Sequence, residues 1–349
     1  MDRHITRQVN LGQFKIGGDA PILVQSMLNA PAHDIEKNIA DAKALEAAGC
    51  QAVRIAVPDF AAVDLVPALK EKISIPVIAD IHFNHEIALR CIDAGIDKIR
   101  INPGNIGARD NALLVADACR QKGIPMRIGV NSGSVEEELL IKYGGPTPEA
   151  MAVCALNYSR FIEESGFKDI VISLKSSSVQ NTIEGYRFVA KESDYPLHLG
   201  VTEAGTERMG ILKSAVGIGS LLCDGIGDTI RVSLTADPVK EVSTAFNLLN
   251  ALDLLPDAPQ LIACPTCGRT QIDLISIANE VENRLQNVHK PIKVAVMGCP
   301  VNGPGEAKNA DVGIAGGKGC GLVFKKGEII KKVPEDQLID ELFREIERL

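Results

Sequence analysis

A closed (β/α)8 barrel followed by a smaller α+β unit is the fold class this sequence predicts, and three observations carry it. Short apolar, β-rich runs recur eight times, the segments between them are helical in periodicity, and the composition changes after Leu255. The runs occupy 22–27, 52–57, 76–81, 98–102, 126–131, 169–175, 197–202 and 229–234. Their starts lie 22 to 43 residues apart, which leaves room for one helix between each pair. Alternating β and α elements argue for a parallel sheet with helices on its faces. Eight repeats favour closure over an open doubly wound sheet.

Before the first run, residues 9–16 with Gly17-Gly18 read as a short hairpin, a plug under the barrel. After that run, Ile35, Ile39, Ala42 and Leu45 fall at spacings of four, three and three, the stripe of an amphipathic helix. Asp34 stands ahead of it as an N-cap and Gly49 behind it as a C-cap. Gly95, Gly123 and Gly166 open similar helix-to-strand stops. Beyond Leu255, Pro256, Pro259 and Pro265 punctuate the exit from the last barrel helix. A helix at 270–285, a strand at 293–297, a glycine-rich loop, short strands near 312–324 and a helix at 335–348 follow. The expected division is a barrel over 1–255 and a second domain over 256–349.

Apolar residues make up 46% of the chain, enough to build a core and too many for a disordered segment. Lysine plus arginine is 37 against 45 acids, so the formal charge of −8 argues against nucleic acid or an anionic membrane as partner. No run approaches the ~18 apolar residues needed to cross a bilayer. Residues 1–7 lack the apolar core of a signal peptide, so cytoplasmic residence is expected. With no tryptophan and 4% aromatics, stacked bases or sugars are poor candidates for a ligand.

The expected strand ends are strongly polar, where barrel enzymes place their chemistry. Arg54, Asp80 with His82, Arg100 with Asn102, Arg127 with Asn131, Lys175, Glu203, and Arg231 with Ser233 follow in strand order. Four arginines and one lysine interrupt runs that should be buried, and Asp80 and Glu203 are the obvious acids near them. A buried guanidinium is costly without an anion, so one phosphate-rich ligand accounts for the set better than many separate ion pairs. The glycine turns 102–107 and 131–134 add backbone amides of the kind that cradle phosphate. His82 reads equally as an acid–base group or as a structural residue.

Cys264-Pro265-Thr266-Cys267, followed by Cys299-Pro300, is the sharpest motif. Two thiolates at C-x-x-C spacing can share one metal centre, and a third beside a proline suits an iron–sulfur site. Zinc held by Cys264, Cys267, Cys299 and Cys320 stays open; a thioredoxin-like pair fits less well, because Cys264 lies outside a strand–helix unit. Glu306 could complete a three-cysteine site, although on spacing alone it reads rather as a solvated loop residue. The remaining cysteines read as small apolar fillers. A redox-inert lyase or aldolase with a zinc-bearing tail and a non-enzymatic cluster carrier are the rival readings.

Several segments resemble the bacterial 4-hydroxy-3-methylbut-2-enyl diphosphate synthases. They are Val24-Gln25-Ser26-Met27, 100–107 (RINPGNIG), 127–134 (RIGVNSGS), 197–205 (LHLGVTEAG), 225–234 (GIGDTIRVSL), 264–269 (CPTCGR) and 298–306 (GCPVNGPGE). The resemblance implies reductive ring opening and dehydration of 2-C-methyl-D-erythritol 2,4-cyclodiphosphate, with electrons from reduced flavodoxin or ferredoxin. It implies a [4Fe–4S] cluster on Cys264, Cys267, Cys299 and Glu306, and a diphosphate held by Arg54, Arg100, Arg127, Asn131, Lys175, Arg231 and Ser233. Glu203 corresponds to the family's proton-donating carboxylate. A head-to-tail homodimer, one subunit's cluster domain over the other's barrel, is also implied.

Overall fold

The computed structural model describes residues 3–300 and 308–349, and the chain divides into two compact units, Met1–Leu248 and Leu249–Leu349. In the first unit β1 (Val9–Leu11) and β2 (Phe14–Ile16) form an antiparallel hairpin. Eight strands follow: β3 (Leu23–Met27), β4 (Ala52–Ala56), β5 (Val77–Asp80), β6 (Lys98–Ile101), β7 (Met126–Asn131), β8 (Ile170–Lys175), β9 (His198–Leu199) and β10 (Thr229–Ile230). Their order is β8-β7-β6-β5-β4-β3-β10-β9, every pairing is parallel, and a parallel bridge between Ile172 and Leu197 joins the ends. Helices α1 (Ile35–Ala47), α2 (Leu65–Lys72), α3 (His85–Asp93), α4 (Arg109–Lys122), α5 (Glu137–Tyr143), α6 (Pro148–Glu164), α7 (Val179–Glu192), α8 (Glu207–Cys223) and α9 (Pro238–Ala251) alternate with the strands. The result is a TIM-type (β/α)8 ring.

The reason lies in the runs themselves. β5 and β6 are buried at every position, as parallel strands covered on both faces must be. α1 begins where the Asp34 carboxylate accepts a hydrogen bond from the Lys37 N–H at 3.0 Å, and Ala42 and Leu45 turn inward from it. The hairpin is the expected plug: Val9, Leu11 and Ile16 pack with Leu23, Ala52, Ile78 and Val171, near the N-terminal ends of the strands. Buried Asp228 secures the segment before the hairpin, accepting from Arg3 Nη2 at 2.9 Å, Thr6 Oγ1 at 3.0 Å and Leu197 N at 2.8 Å.

The last two ladders are shorter than the runs 197–202 and 229–234 suggest. After Leu199 the backbones draw together: a Cβ added at Gly200 would lie 2.9 Å from the Arg231 carbonyl oxygen. Arg231 N still donates to Leu199 O at 3.0 Å, but the even ladder stops there.

In the second unit a five-stranded sheet runs β11 (Gln260–Ala263), β12 (Lys293–Met297), β13 (Val312–Gly317), β14 (Cys320–Lys325) and β15 (Glu328–Pro334) in that order. The first two pairings are parallel and the last two antiparallel. Helices α10 (Leu274–Leu285) and α11 (Leu338–Glu347) pack Val281 and Leu342 into one core with Val294, Val296 and Ile314. Two strands exceed the sequence expectation. β11 is four residues squeezed between Pro259 and Cys264, and the alternation in β15 is broken by Lys331-Lys332. The helix expected from residue 270 starts at Leu274, because Thr270 N donates to Cys267 O in a turn and Asp273 caps the helix at Ser276 N.

Candidate functional site

Side chains two apart on a strand share a face. On β7 that places Arg127, Gly129 and Asn131 together, and on β8 Ser173 and Lys175. A cavity of about 200 Å³ opens among them in the first unit. All seven residues expected to hold a diphosphate line it: Arg54, Arg100, Arg127, Asn131, Lys175, Arg231 and Ser233. Asp80, His82, Asn102, Asn105, Ser173 and Thr202 complete the wall. Of the two glycine turns, the first contributes Asn102 and Asn105 and the second only Asn131. They touch at Gly104, where a Cβ would fall 2.8 Å from Ser134 O.

The cations are held by few anions. Asp80 bonds Arg54 through one carboxylate oxygen and Arg100 Nη1 through the other, the latter at 3.0 Å. Burial pushes the Asp80 carboxyl up, but Arg54 and Arg100 outweigh it and hold it well below the ordinary carboxylate range. Arg100 also donates to Gly129 O at 3.1 Å, and a Cβ at Gly129 would meet its Nε at 2.5 Å. Only glycine leaves room for that guanidinium. Nε and Nη1 of Arg127 and Nε of Arg54 have no hydrogen-bond partner among the described residues. Burial, then Arg54 and Arg100, press Arg127 down from its ordinary value, which starts so high that the proton stays. Burial and the four surrounding guanidinium groups push the Lys175 ammonium well down. His82 Nε2 stands 3.6 Å from Asp80 Oδ2, too far for a hydrogen bond.

One acid escaped the sequence reading. Glu241, in the first turn of α9, is 4% exposed and accepts from Ser26 Oγ at 3.0 Å, Leu234 N at 2.9 Å and Arg231 Nη2 at 3.4 Å. It lies in a helix rather than a strand run, so its only signal was a glutamate among apolar helix positions. Below the cavity, Lys98 and His198 are also fully buried, and His198 Nε2 has no hydrogen-bond partner among the described residues. Glu203 is exposed and does not line the cavity, although its neighbour Thr202 does. Its φ of 51° is left-handed, a region that non-glycine residues seldom occupy and that Asp253 and Lys326 share in this chain.

The second unit carries the thiols. β11 and β12 pair in parallel with Ala263 opposite Val296, so Cys264 and the Gly298-Cys299 pair emerge at adjacent C-terminal strand ends. Gly298 N donates to Cys264 Sγ at 3.1 Å. Cys267 is exposed, and the backbone N–H of Arg269 holds its thiol below the ordinary value. Buried thiols in the first unit behave oppositely: burial pushes Cys50 up to about 11 and Cys91 up to about 12, as for inert fillers. Cys223 departs from the filler expectation, since it is exposed at the end of α8. Among the described residues no three His, Cys, Asp or Glu side chains crowd around one point, as a single-ion cage requires. Glu306 lies outside the described residues.

Comparison with known proteins then places the chain. The family model described as the GcpE TIM-barrel domain matches residues 6–246, and that of the GcpE protein C-terminal domain matches 260–348. A 4-hydroxy-3-methylbut-2-en-1-yl diphosphate synthase (flavodoxin) from Caldanaerobacter subterraneus is 56% identical over 99% of this chain and 98% of its own length. The synthase of the same name from Clostridium acetobutylicum is 55% identical over the whole of both chains. Among solved structures, dihydropteroate synthase from Xanthomonas albilineans is similar in fold, with a TM-score of 0.50 and 13% identity over 72% of this chain and all of that one. With both family models matched and full-length relatives above half identity, the chain belongs to the GcpE family of 4-hydroxy-3-methylbut-2-en-1-yl diphosphate synthases.

Proposed function

We propose that the chain catalyses the reductive ring opening of 2-C-methyl-D-erythritol 2,4-cyclodiphosphate to 4-hydroxy-3-methylbut-2-enyl diphosphate. Two electrons and two protons enter, one C–O bond of the ring breaks, and water leaves. The observation that carries the reading is the cavity itself, where, among the described residues, Arg54, Arg100, Arg127, Lys175 and Arg231 face only Asp80 and Glu241. A cyclic diphosphate, with one negative charge on each phosphoryl group, supplies the missing anions. Asn131 and Ser233 add uncharged hydrogen-bonding groups for phosphoryl oxygens. Glu203 would give its carboxyl proton to the departing oxygen from the loop after β9.

Cys264, Cys267, Cys299 and Glu306 would hold a [4Fe–4S] cluster. The donor set fits: a soft thiolate pair at C-x-x-C spacing, a third thiolate on the adjacent strand end, and an N–H aimed at Cys264 Sγ. Such a cluster, when bound, passes electrons singly from a reduced flavodoxin, as the relatives' name suggests, or a ferredoxin. Cytoplasmic residence and a head-to-tail homodimer that covers each barrel complete the proposal. No helix among the described residues is long and apolar enough to cross a membrane.

Anaerobic turnover with reduced flavodoxin tests the reading. The purified protein should contain iron and convert the cyclodiphosphate. Glu203→Gln should keep iron content and substrate binding while turnover drops by about a hundredfold or more. Stoichiometric zinc without iron, or half the turnover retained in Glu203→Gln, would sink the respective assignment.

A further inference from the structure

We propose that Lys175 is a proton-linked anchor, neutral in the ligand-free enzyme and charged by uptake of one proton when a diphosphate binds. The inference rests on reading the cavity as a diphosphate site. Four guanidinium groups face Lys175: Arg54 from β4, Arg100 from β6, Arg127 from β7 and Arg231 from the segment just after β10. The two carboxylates are already engaged, Asp80 by Arg54 and Arg100, and Glu241 by Arg231. Among the described residues none forms an ion pair with Lys175. His82 stands on the cavity wall, while Lys98 and His198 lie deeper, outside the lining.

Chemistry decides which group gives way. A guanidinium keeps its proton at any pH a protein survives, whereas a buried amine releases one readily. Lys175 is 9% exposed, and burial acts on its ammonium in the same direction as the four arginines. In the ligand-free ring it is the member that can shed charge, and doing so relieves the repulsion. A bound dianion reverses the balance, because an opposite charge at close range favours the protonated amine. Lys98 and His198 are not part of the cavity lining, so a ligand there makes no direct contact with them.

Proton uptake has a measurable sign. Affinity should be flat at low pH, where Lys175 is already charged. It should then fall by about tenfold per pH unit between the free-enzyme value and the higher bound value. The test is calorimetric titration of the oxidised holoenzyme with 2-C-methyl-D-erythritol 2,4-cyclodiphosphate in two buffers of unlike ionisation enthalpy. Each phosphoryl group of this probe carries one ester bond and the shared anhydride bond, which leaves a single strongly acidic hydroxyl, so the probe exchanges no proton of its own near neutrality. The wild type should take up about one proton. Lys175→Arg, permanently charged, should bind with no buffer-dependent heat and a flat pH profile. Equal heats in both buffers for the wild type overturn the proposal without any variant, and proton uptake that survives in Lys175→Arg overturns it too. Absence of binding at every pH would instead refute the diphosphate reading beneath it.

Discussion

The barrel carries its polar side chains on strands buried on both faces, whereas the second unit carries its thiols on turns beyond two strand ends. Fixed strands let four guanidinium groups and Lys175 stand around one cavity, because neighbouring ladders oppose their separation. Cys264, Cys267 and Cys299 have no such frame past Ala263 and Met297. A cationic site must resist its own repulsion before the ligand arrives, so it is built into the scaffold. A thiol site gains its order from strong bonds to metal, so turns suffice to present it.

The largest test of this division removes a thiol. Cys264→Ser should strip most of the iron and lower turnover by more than about a hundredfold, beyond the range of losses at residues that merely orient ligands. Calorimetry should still find the cyclodiphosphate bound to the same variant, within about tenfold of the wild type. Loss of both properties together would break the division between a binding barrel and a redox unit.

An intermediate effect is expected at Asp80. Asp80→Asn should destabilise the barrel by about 3–5 kcal/mol near neutral pH, because two guanidinium groups lose their buried counter-ion. The carboxyl titrates below its ordinary value, so its contribution is complete above about pH 4 and is lost as pH falls through the lower native value. Acidification should therefore narrow the gap between wild type and variant in thermal melts. A gap that widens in acid would contradict the ion pairs.

The smallest effects sharpen the boundary between the units. Asp34 caps α1 and Asp273 caps α10, each through a backbone N–H three residues on. Replacing either by alanine should cost about 1 kcal/mol. In scanning calorimetry Asp34→Ala should lower only the transition of the barrel, and Asp273→Ala only that of the second unit. One shared transition displaced by both would show that the units unfold together.

How much was legible follows the same contrast. β7 and β12 match their expected bounds, since each is a continuous run with a clear start and stop. The five cationic cavity residues were legible because a charge inside an apolar strand run is conspicuous. Glu241 was not, because a glutamate in a first helical turn is ordinary and only the tertiary fold turns it toward Arg231. β9 and β10 are shorter than expected where Gly200 approaches Arg231, a contact between two segments that no local pattern relates. Glu203 was legible as a residue but not as a left-handed, exposed one.

The hairpin at residues 9–16 has a further consequence for the chemistry above it. With Leu11 and Ile16 sealed against Leu23, Ile78 and Val171, the ring is a cup rather than a tube. Substrate, departing water and every exchanging proton must share the mouth at the C-terminal strand ends. A cover over that mouth would therefore isolate the whole lumen at once, because among the described residues the hairpin packs across the opposite end.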